Sequence, residues 1–179
     1  PIIDKIGKLN KFYLPLSEWL YSIYKKDNKI KIIGLSGGQG AGKSTITGIL
    51  QFILKKKYRL NLCVFSIDDF YKTKAERRKM SKKIHPLFLT RGVPGTHDVQ
   101  LGLDTLNSLS GANDTTLTPI PSFSKPLDQH YPRENWRVFK GKPDFIFFDA
   151  WCGGAKPISI DNWKPPMNDL EKEEDPKAN

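Results

Sequence analysis

The 179 residues of the chain suffice for one α/β domain with a hydrophobic core and are too few for two. Hydrophobic residues make up 38% of the chain and fall in short runs, which excludes a transmembrane protein. Two cysteines, Cys63 and Cys152, lie far apart, which excludes a disulfide framework and a zinc-type ligand spacing. We expect two buried thiols and, because unpaired cysteines suit a reducing compartment, a cytoplasmic protein.

The net charge of +10 is the feature of the composition that suggests nucleic-acid binding. The Lys and Arg residues, however, are spread along the chain, and basic clusters such as 55–57 and 77–79 have no interleaved aromatic residues. We therefore expect a solvated basic surface, no membrane contact and no nucleic-acid partner.

Helical and strand patterns alternate along the chain, with a glycine-rich loop near the start. The first half predicts helix 12–25, strand 29–35, helix 44–57, strand 60–67 and helix 72–83. The second half predicts a loop over 85–97, a helix over 98–108, a short strand over 115–120, irregular structure over 121–136 and a buried strand over 144–150. Such alternation predicts a mainly parallel sheet with helices on both faces.

Residues 37–44, G-G-Q-G-A-G-K-S, fill every fixed position of the phosphate-binding P-loop, between a predicted strand and a predicted helix. Its glycines let successive backbone N–H groups converge on phosphates, and the helix N-terminus favours their negative charge. We expect Lys43 to contact the β- and γ-phosphates of ATP and the Ser44 hydroxyl to bind Mg²⁺. The predicted nucleotide-binding residues are Gly37, Gly38, Gln39, Gly40, Ala41, Gly42, Lys43, Ser44 and Thr45. The predicted fold is the three-layer α/β sandwich of P-loop NTPases.

Two further groups of acids follow predicted strands. Asp149 ends the apolar run F-I-F-F in the manner of a Walker B strand, so we expect it beside the magnesium ion. Asp68 and Asp69 end the second strand within S-I-D-D-F-Y. Ligands of open α/β sheets gather at the carboxyl ends of strands, so these acids face the P-loop crevice. A carboxylate there accepts the proton of an attacking hydroxyl, whereas the alternative role for either acid is a helix cap.

The P-loop, S-I-D-D-F-Y at 66–71 and R-G-V-P-G-T-H-D at 91–98 together resemble the P-loop kinases of small hydroxylated metabolites. That group includes uridine kinase, pantothenate kinase, phosphoribulokinase and D-glycerate 3-kinase. The S-x-D-D-F-Y and R-G-x-x-G-[ST]-H-D patterns, with an acid-x-Trp after the Walker B run, point to D-glycerate 3-kinase and its kinase-like relatives. The resemblance implies an ATP- and Mg²⁺-dependent phosphotransferase acting on D-glycerate and yielding 3-phosphoglycerate.

The resemblance also implies roles for individual residues. Asp68 matches the position of the proposed base, with Lys43 as the second catalytic residue. The acceptor side is implied to include Asp69, Tyr71, Arg91, His97, Asp98 and Lys125. Lys125 would meet either a substrate carboxylate or the transferring phosphoryl group, since a planar Arg or a Lys is the natural partner of an anionic acceptor. We interpret Trp151 and Trp163 as packing residues.

Members of the family are longer than this chain and continue into a helical lid and an adenine-binding segment. The resemblance therefore implies that residues 1–179 are one kinase domain without its C-terminal part. Two alternatives stay open at this stage. One is a kinase for a different hydroxyl acceptor, namely uridine, pantothenate or a phosphoribulose-type sugar; the other is a nucleotide-binding protein without turnover, or a nucleic-acid-associated ATPase.

Overall fold

The computed structural model describes residues 7–157, 159, 166 and 168–174. Within them the α-helices are α1 (Leu14–Lys25), α2 (Lys43–Tyr58), α3 (Lys74–Lys83), α4 (Val99–Ser110) and α5 (Asp169–Glu174). The strands are β1 (Lys31–Ser36), β2 (Leu62–Ser66), β3 (Leu117–Ile120), β4 (Phe123–Ser124), β5 (Gln129–His130), β6 (Arg137–Lys140) and β7 (Phe145–Ala150). None of the helices in this part of the chain has the length and apolar content needed to cross a membrane.

The central sheet is parallel and, over the described residues, has the strand order β1-β7-β2. The last strand of the three in sequence therefore lies in the middle. Its Asp149 is in register with Leu35 of β1 and with Ser66 of β2. Because parallel strands end at the same edge, the segments that leave β1, β2 and β7 begin side by side.

Helices cover both faces of this sheet. Alternate residues of β7 point to opposite faces, and two separate hydrophobic clusters result. Phe145 and Phe147 pack with Leu54 of α2 and with α1 on one face, while Ile146 packs with Leu109 of α4 on the other. The predicted α/β fold with a parallel sheet between two helical layers is confirmed.

The second half of the chain contains the predicted short strand, β3, and further β-structure that the pattern did not predict. Strand β3 does not join the central sheet but pairs antiparallel with β6, and β4 pairs with β5 as a short hairpin in the region predicted to be irregular. Strands of two residues, such as β4 and β5, are too short for an alternating pattern to be recognised. The hairpin matters because its turn carries Lys125.

Side-chain burial differs from the prediction at two positions. Cys63 is buried as expected, but Cys152 is half-buried, and both thiols are free. Arg77, which the sequence places in a basic surface cluster, is only 2% exposed. It lies on the inner face of α3, where three hydrogen bonds satisfy its guanidinium, so its burial carries no unpaired charge.

Candidate active site

A cavity of about 990 Å³ lies at the carboxyl edge of the central sheet, where ligands bind in open α/β folds. Its wall combines the loop after β1, the turn after β2, the end of β7 and two separate loops. The lining residues are Gly38, Gln39, Gly40, Ala41, Gly42, Lys43, Ser44, Thr45, Ser66, Ile67, Asp68, Asp69, Tyr71, Arg91, Lys125, Asp149 and Trp151. Most of the predicted site residues therefore come together around one space.

The P-loop wraps from β1 into the N-terminus of α2. Gly40 and Gly42 adopt φ values of +77° and +85°, a left-handed conformation in which residues with a Cβ are disfavoured. Gly42 is the residue that precedes α2, and no side chain among the described residues caps that helix. The first backbone N–H groups of α2 are therefore available to an anion.

Lys43 folds back onto its own loop. Its Nζ donates to the carbonyl oxygens of Gly37 and Gly38 at 2.7 and 3.0 Å and lies 3.8 Å from Asp149 Oδ1. Burial raises the pKa of Asp149 above its ordinary value; the Lys43 ammonium opposes that rise and the Asp68 charge adds to it. This carboxylate shares the cavity with the Ser44 hydroxyl, and carboxylate and hydroxyl oxygens are the kind of ligand that Mg²⁺ prefers.

Asp68 projects from a single 3₁₀ turn, Ile67–Phe70, that follows β2. Its Oδ1 accepts a hydrogen bond from the Tyr71 hydroxyl at 2.7 Å, and its Oδ2 accepts one from Lys125 Nζ at 2.6 Å. Burial opposes ionisation, but the ammonium and the hydroxyl outweigh it and hold the pKa of Asp68 below its ordinary value. The carboxylate is therefore charged, and each of its oxygens accepts one hydrogen bond.

Asp69 has a different local role. Its Oδ2 accepts the backbone N–H of Ser66 at 3.2 Å, while the Ser66 hydroxyl accepts the N–H of Asp68 at 3.3 Å. This reciprocal capping box fixes the turn. Asp69 also lines the cavity, and burial raises its pKa. Its hydrogen bond with the Ser66 N–H, however, serves to orient the neighbouring Asp68.

The cationic side of the cavity comes from two loops that are distant in sequence. Arg91 follows the 3₁₀ turn Pro86–Leu89, and Lys125 follows β4. Arg91 Nη1 donates to Asp128 Oδ1 at 3.0 Å. Both side chains line the cavity, and Lys125 is the one that contacts Asp68.

Two predicted acceptor-site residues do not line this cavity. Asp98 caps α4, its Oδ1 accepting the N–H of Leu101 at 3.0 Å. The His97 ring stacks on Tyr71 with centroids 4.6 Å apart, and its Nε2 is buried without a hydrogen-bond partner among the described residues. Both residues border a separate apolar cavity of about 230 Å³. The loop that carries His97 leads directly into α4. His97 therefore does not line the larger cavity but contacts Tyr71, which does.

Sequence reasoning also missed residues at the site. Trp151, which we interpreted as a packing residue, is 49% exposed and lines the cavity; the acid-x-Trp pattern was the signal that could have identified it. Arg77 and Asp128 form an ion pair behind Arg91, and no motif marks either residue. Trp163 lies outside the described residues.

Comparison with known proteins places this geometry among kinases. No family model matches the chain. The uncharacterized kinase mug58 of Schizosaccharomyces pombe is 33% identical over 164 residues, which cover 88% of this chain and 55% of that protein. The chloroplastic D-glycerate 3-kinase of Arabidopsis thaliana is 28% identical over 185 residues, covering 94% and 40%. The solved structure of D-glycerate 3-kinase from Cryptococcus neoformans has a TM-score of 0.66 and 26% identity, covering 83% of this chain and 55% of that one.

A complete P-loop on a parallel sheet with helices on both faces defines a P-loop protein, and the proteins that the chain resembles are kinases. Within that class the chain is related to D-glycerate 3-kinase and its kinase-like relatives. The chain spans about half the length of the relatives it matches.

Proposed function

We propose that the chain carries the phosphate-binding and acceptor-binding site of an ATP- and Mg²⁺-dependent kinase that phosphorylates a hydroxyl of a small organic acid. The favoured acceptor is D-glycerate, with 3-phosphoglycerate as the product. The observation that carries the proposal is that Asp68 shares one cavity with the P-loop and with two cations, Arg91 and Lys125. The prediction that residues 1–179 are one domain of a longer kinase stays a prediction.

Each group has a role in phosphoryl transfer. The P-loop N–H groups and Lys43 bind the phosphates and balance the charge that develops on the transferred group. Ser44 and Asp149 would hold Mg²⁺, which neutralises charge on the phosphate oxygens when bound. Asp68 is the residue that accepts the proton of the acceptor hydroxyl. Its lowered pKa keeps the carboxylate ionised.

The two cations favour an acidic acceptor. A carboxylate is best bound by a guanidinium or an ammonium group, and Arg91 and Lys125 supply one of each beside Asp68. A nucleoside has no such anionic group on the side that reacts. The D-glycerate 3-kinases among the relatives support the same choice of acceptor.

A second acceptor class has one observation in its favour. Trp151 presents an exposed aromatic ring to the cavity, and an aromatic ring is a stacking surface for a nucleobase. A uridine-type acceptor would use it. A test of the acceptor therefore has to include a nucleoside.

The test is ADP formation by the chain with Mg·ATP and D-glycerate, uridine or pantothenate in turn. We expect turnover with D-glycerate, its loss in Asp68→Asn, and its retention in Asp104→Asn, a matched change on the exposed face of α4. Turnover with uridine or pantothenate and none with D-glycerate would overturn the acceptor. Full ATP-dependent activity in Asp68→Asn would instead favour a nucleotide-binding protein or ATPase without this acceptor chemistry.

A further inference from the structure

Arg77 is a buried cation that connects three segments. Its Nε donates to the Lys72 carbonyl at 3.1 Å, its Nη1 to the Leu89 carbonyl at 2.5 Å, and its Nη2 to Asp128 Oδ1 at 2.5 Å. Removing a cation from water is costly unless such partners replace the lost hydration. A side chain that is 2% exposed and makes three polar contacts is therefore a fixed anchor rather than a surface charge.

Asp128 is the point where this anchor meets the cavity. It lies in the turn of the β4–β5 hairpin, and the oxygen that accepts Arg77 also accepts Nη1 of Arg91 at 3.0 Å. Burial opposes ionisation of Asp128, but the two guanidinium groups outweigh it and lower its pKa. One carboxylate oxygen thus joins a buried arginine to an arginine of the cavity wall.

The residues that contact Arg77 lie close in sequence to both cations of the cavity. Leu89, which Arg77 holds, lies two residues before Arg91, and Asp128 lies three residues after Lys125. The loop that carries Arg91 and the turn that carries Lys125 therefore share Arg77 as a common support. Asp128 contacts Arg91 through one nitrogen, and the remaining N–H groups of that guanidinium have no partner among the described residues.

We infer that the buried Arg77–Asp128 pair is a positioning device that sets the spacing and orientation of Arg91 and Lys125 toward an anionic acceptor, an inference that rests on the proposed function. Neither Arg77 nor Asp128 lines the cavity, so both act through the two cations. A carboxylate needs donors in a fixed fork, and a displacement of about 1 Å can cost about a hundredfold in rate.

The decisive variant is Asp128→Asn. Asp128 has φ +55°, and Asn tolerates this left-handed conformation, so the substitution removes the charge without straining the turn. We expect the KM for D-glycerate to rise about tenfold or more, while the KM for ATP changes less than about twofold. The control is Glu18→Gln, which removes one carboxylate from the exposed Lys57–Glu18 pair and leaves both constants unchanged. Parallel increases in the two KM values, or no increase for D-glycerate, would overturn the inference.

A second measurement does not depend on turnover. Hydrogen exchange in the unliganded chain is compared between wild type and Arg77→Met, which removes all three guanidinium contacts. We expect faster exchange in 87–91 and in 124–129 together, with the P-loop helix α2 unaffected. If the wild-type chain phosphorylates no acceptor, the proposed function fails, and the exchange measurement alone then tests the role of the Arg77–Asp128 pair. The positioning role is overturned if Arg77→Met leaves exchange unchanged in both segments or raises it in only one of them.

Discussion

Lys125 Nζ lies 2.6 Å from Asp68 Oδ2, although the two residues are 57 positions apart. The other oxygen of Asp68 is held by the Tyr71 hydroxyl, so both oxygens of the proposed base are occupied. Tyr71 is buried, whereas the Lys125 side chain is 53% exposed. A carboxylate oxygen accepts more than one hydrogen bond, so we expect an incoming acceptor hydroxyl to reach Asp68 from the exposed side, where Lys125 can also bind the anionic group of the acceptor.

This ion pair sets the acid limb of the pH–rate profile. Lys125 helps to lower the pKa of Asp68, so the base stays ionised, and activity persists, at pH values below the ordinary range for an Asp. Because the pair exists only while Asp68 is charged, its contribution is lost as the pH falls through the lowered pKa. We expect Lys125→Met to move the acid limb of kcat/KM to higher pH, in addition to weakening acceptor binding.

The pH dependence of kcat/KM for D-glycerate, measured for wild type and variant, tests this. Lys142→Met is the control, because Lys142 is not part of the cavity wall, and its profile should match that of the wild type. An acid limb at the same pH in Lys125→Met would show that the ammonium does not tune Asp68.

The magnesium dependence of nucleotide binding should require Asp149. We expect Mg²⁺ to increase the affinity of the wild type for ATP. The increase should be small in Asp149→Asn, because this variant has lost a charged ligand of the magnesium ion. Isothermal titration with and without EDTA measures this. A full gain in Asp149→Asn would contradict the assignment.

Trp151 should report on occupancy of the cavity. Its exposed ring lines the same wall as the P-loop, so Mg·ATP is expected to change the tryptophan fluorescence of the chain. The change should disappear in Trp151→Phe. It should persist in Trp19→Phe, which alters an exposed tryptophan of α1 that is not part of the cavity wall. An unchanged response in Trp151→Phe would place the responding ring elsewhere.

The stability of the α2 layer should depend on Leu54, which is fully buried against the sheet. Leu54→Ala leaves a cavity and is expected to lower the free energy of unfolding by about 2–5 kcal/mol. Phe52→Ala on the same helix is the matched control, because Phe52 is 58% exposed and its loss should cost about 0.5 kcal/mol or less. Urea denaturation distinguishes the two; equal losses would contradict the packing of this face.

The parts of the site that could be predicted are those encoded in contiguous residues. The P-loop can be recognised in the sequence because its glycines, lysine and serine must follow one another at fixed spacing. Asp149 was found because a buried strand is a continuous apolar run, and the acid at its end is conspicuous. Both features depend on short-range geometry that a sequence shows directly.

The parts that escaped prediction depend on long-range contacts. The Arg77–Asp128 pair joins residues 51 positions apart, and Arg77 is surrounded by basic residues that are exposed. Nothing in the local pattern distinguishes the one arginine of α3 that points inward. Similarly, His97 and Asp98 follow Arg91 in one motif, but the start of α4 turns them away from the cavity, which motif spacing does not reveal.

The position of β7 between β1 and β2 has a consequence for biosynthesis. Over the described residues β1 and β2 are consecutive strands of this sheet that do not pair with each other, so we expect the sheet to form only after residues 145–150 have left the ribosome. The P-loop and the Asp68 turn are synthesised before β7, the strand that brings them together. Contacts of such long sequence separation form slowly, and the nascent chain is exposed to proteases and chaperones over this interval.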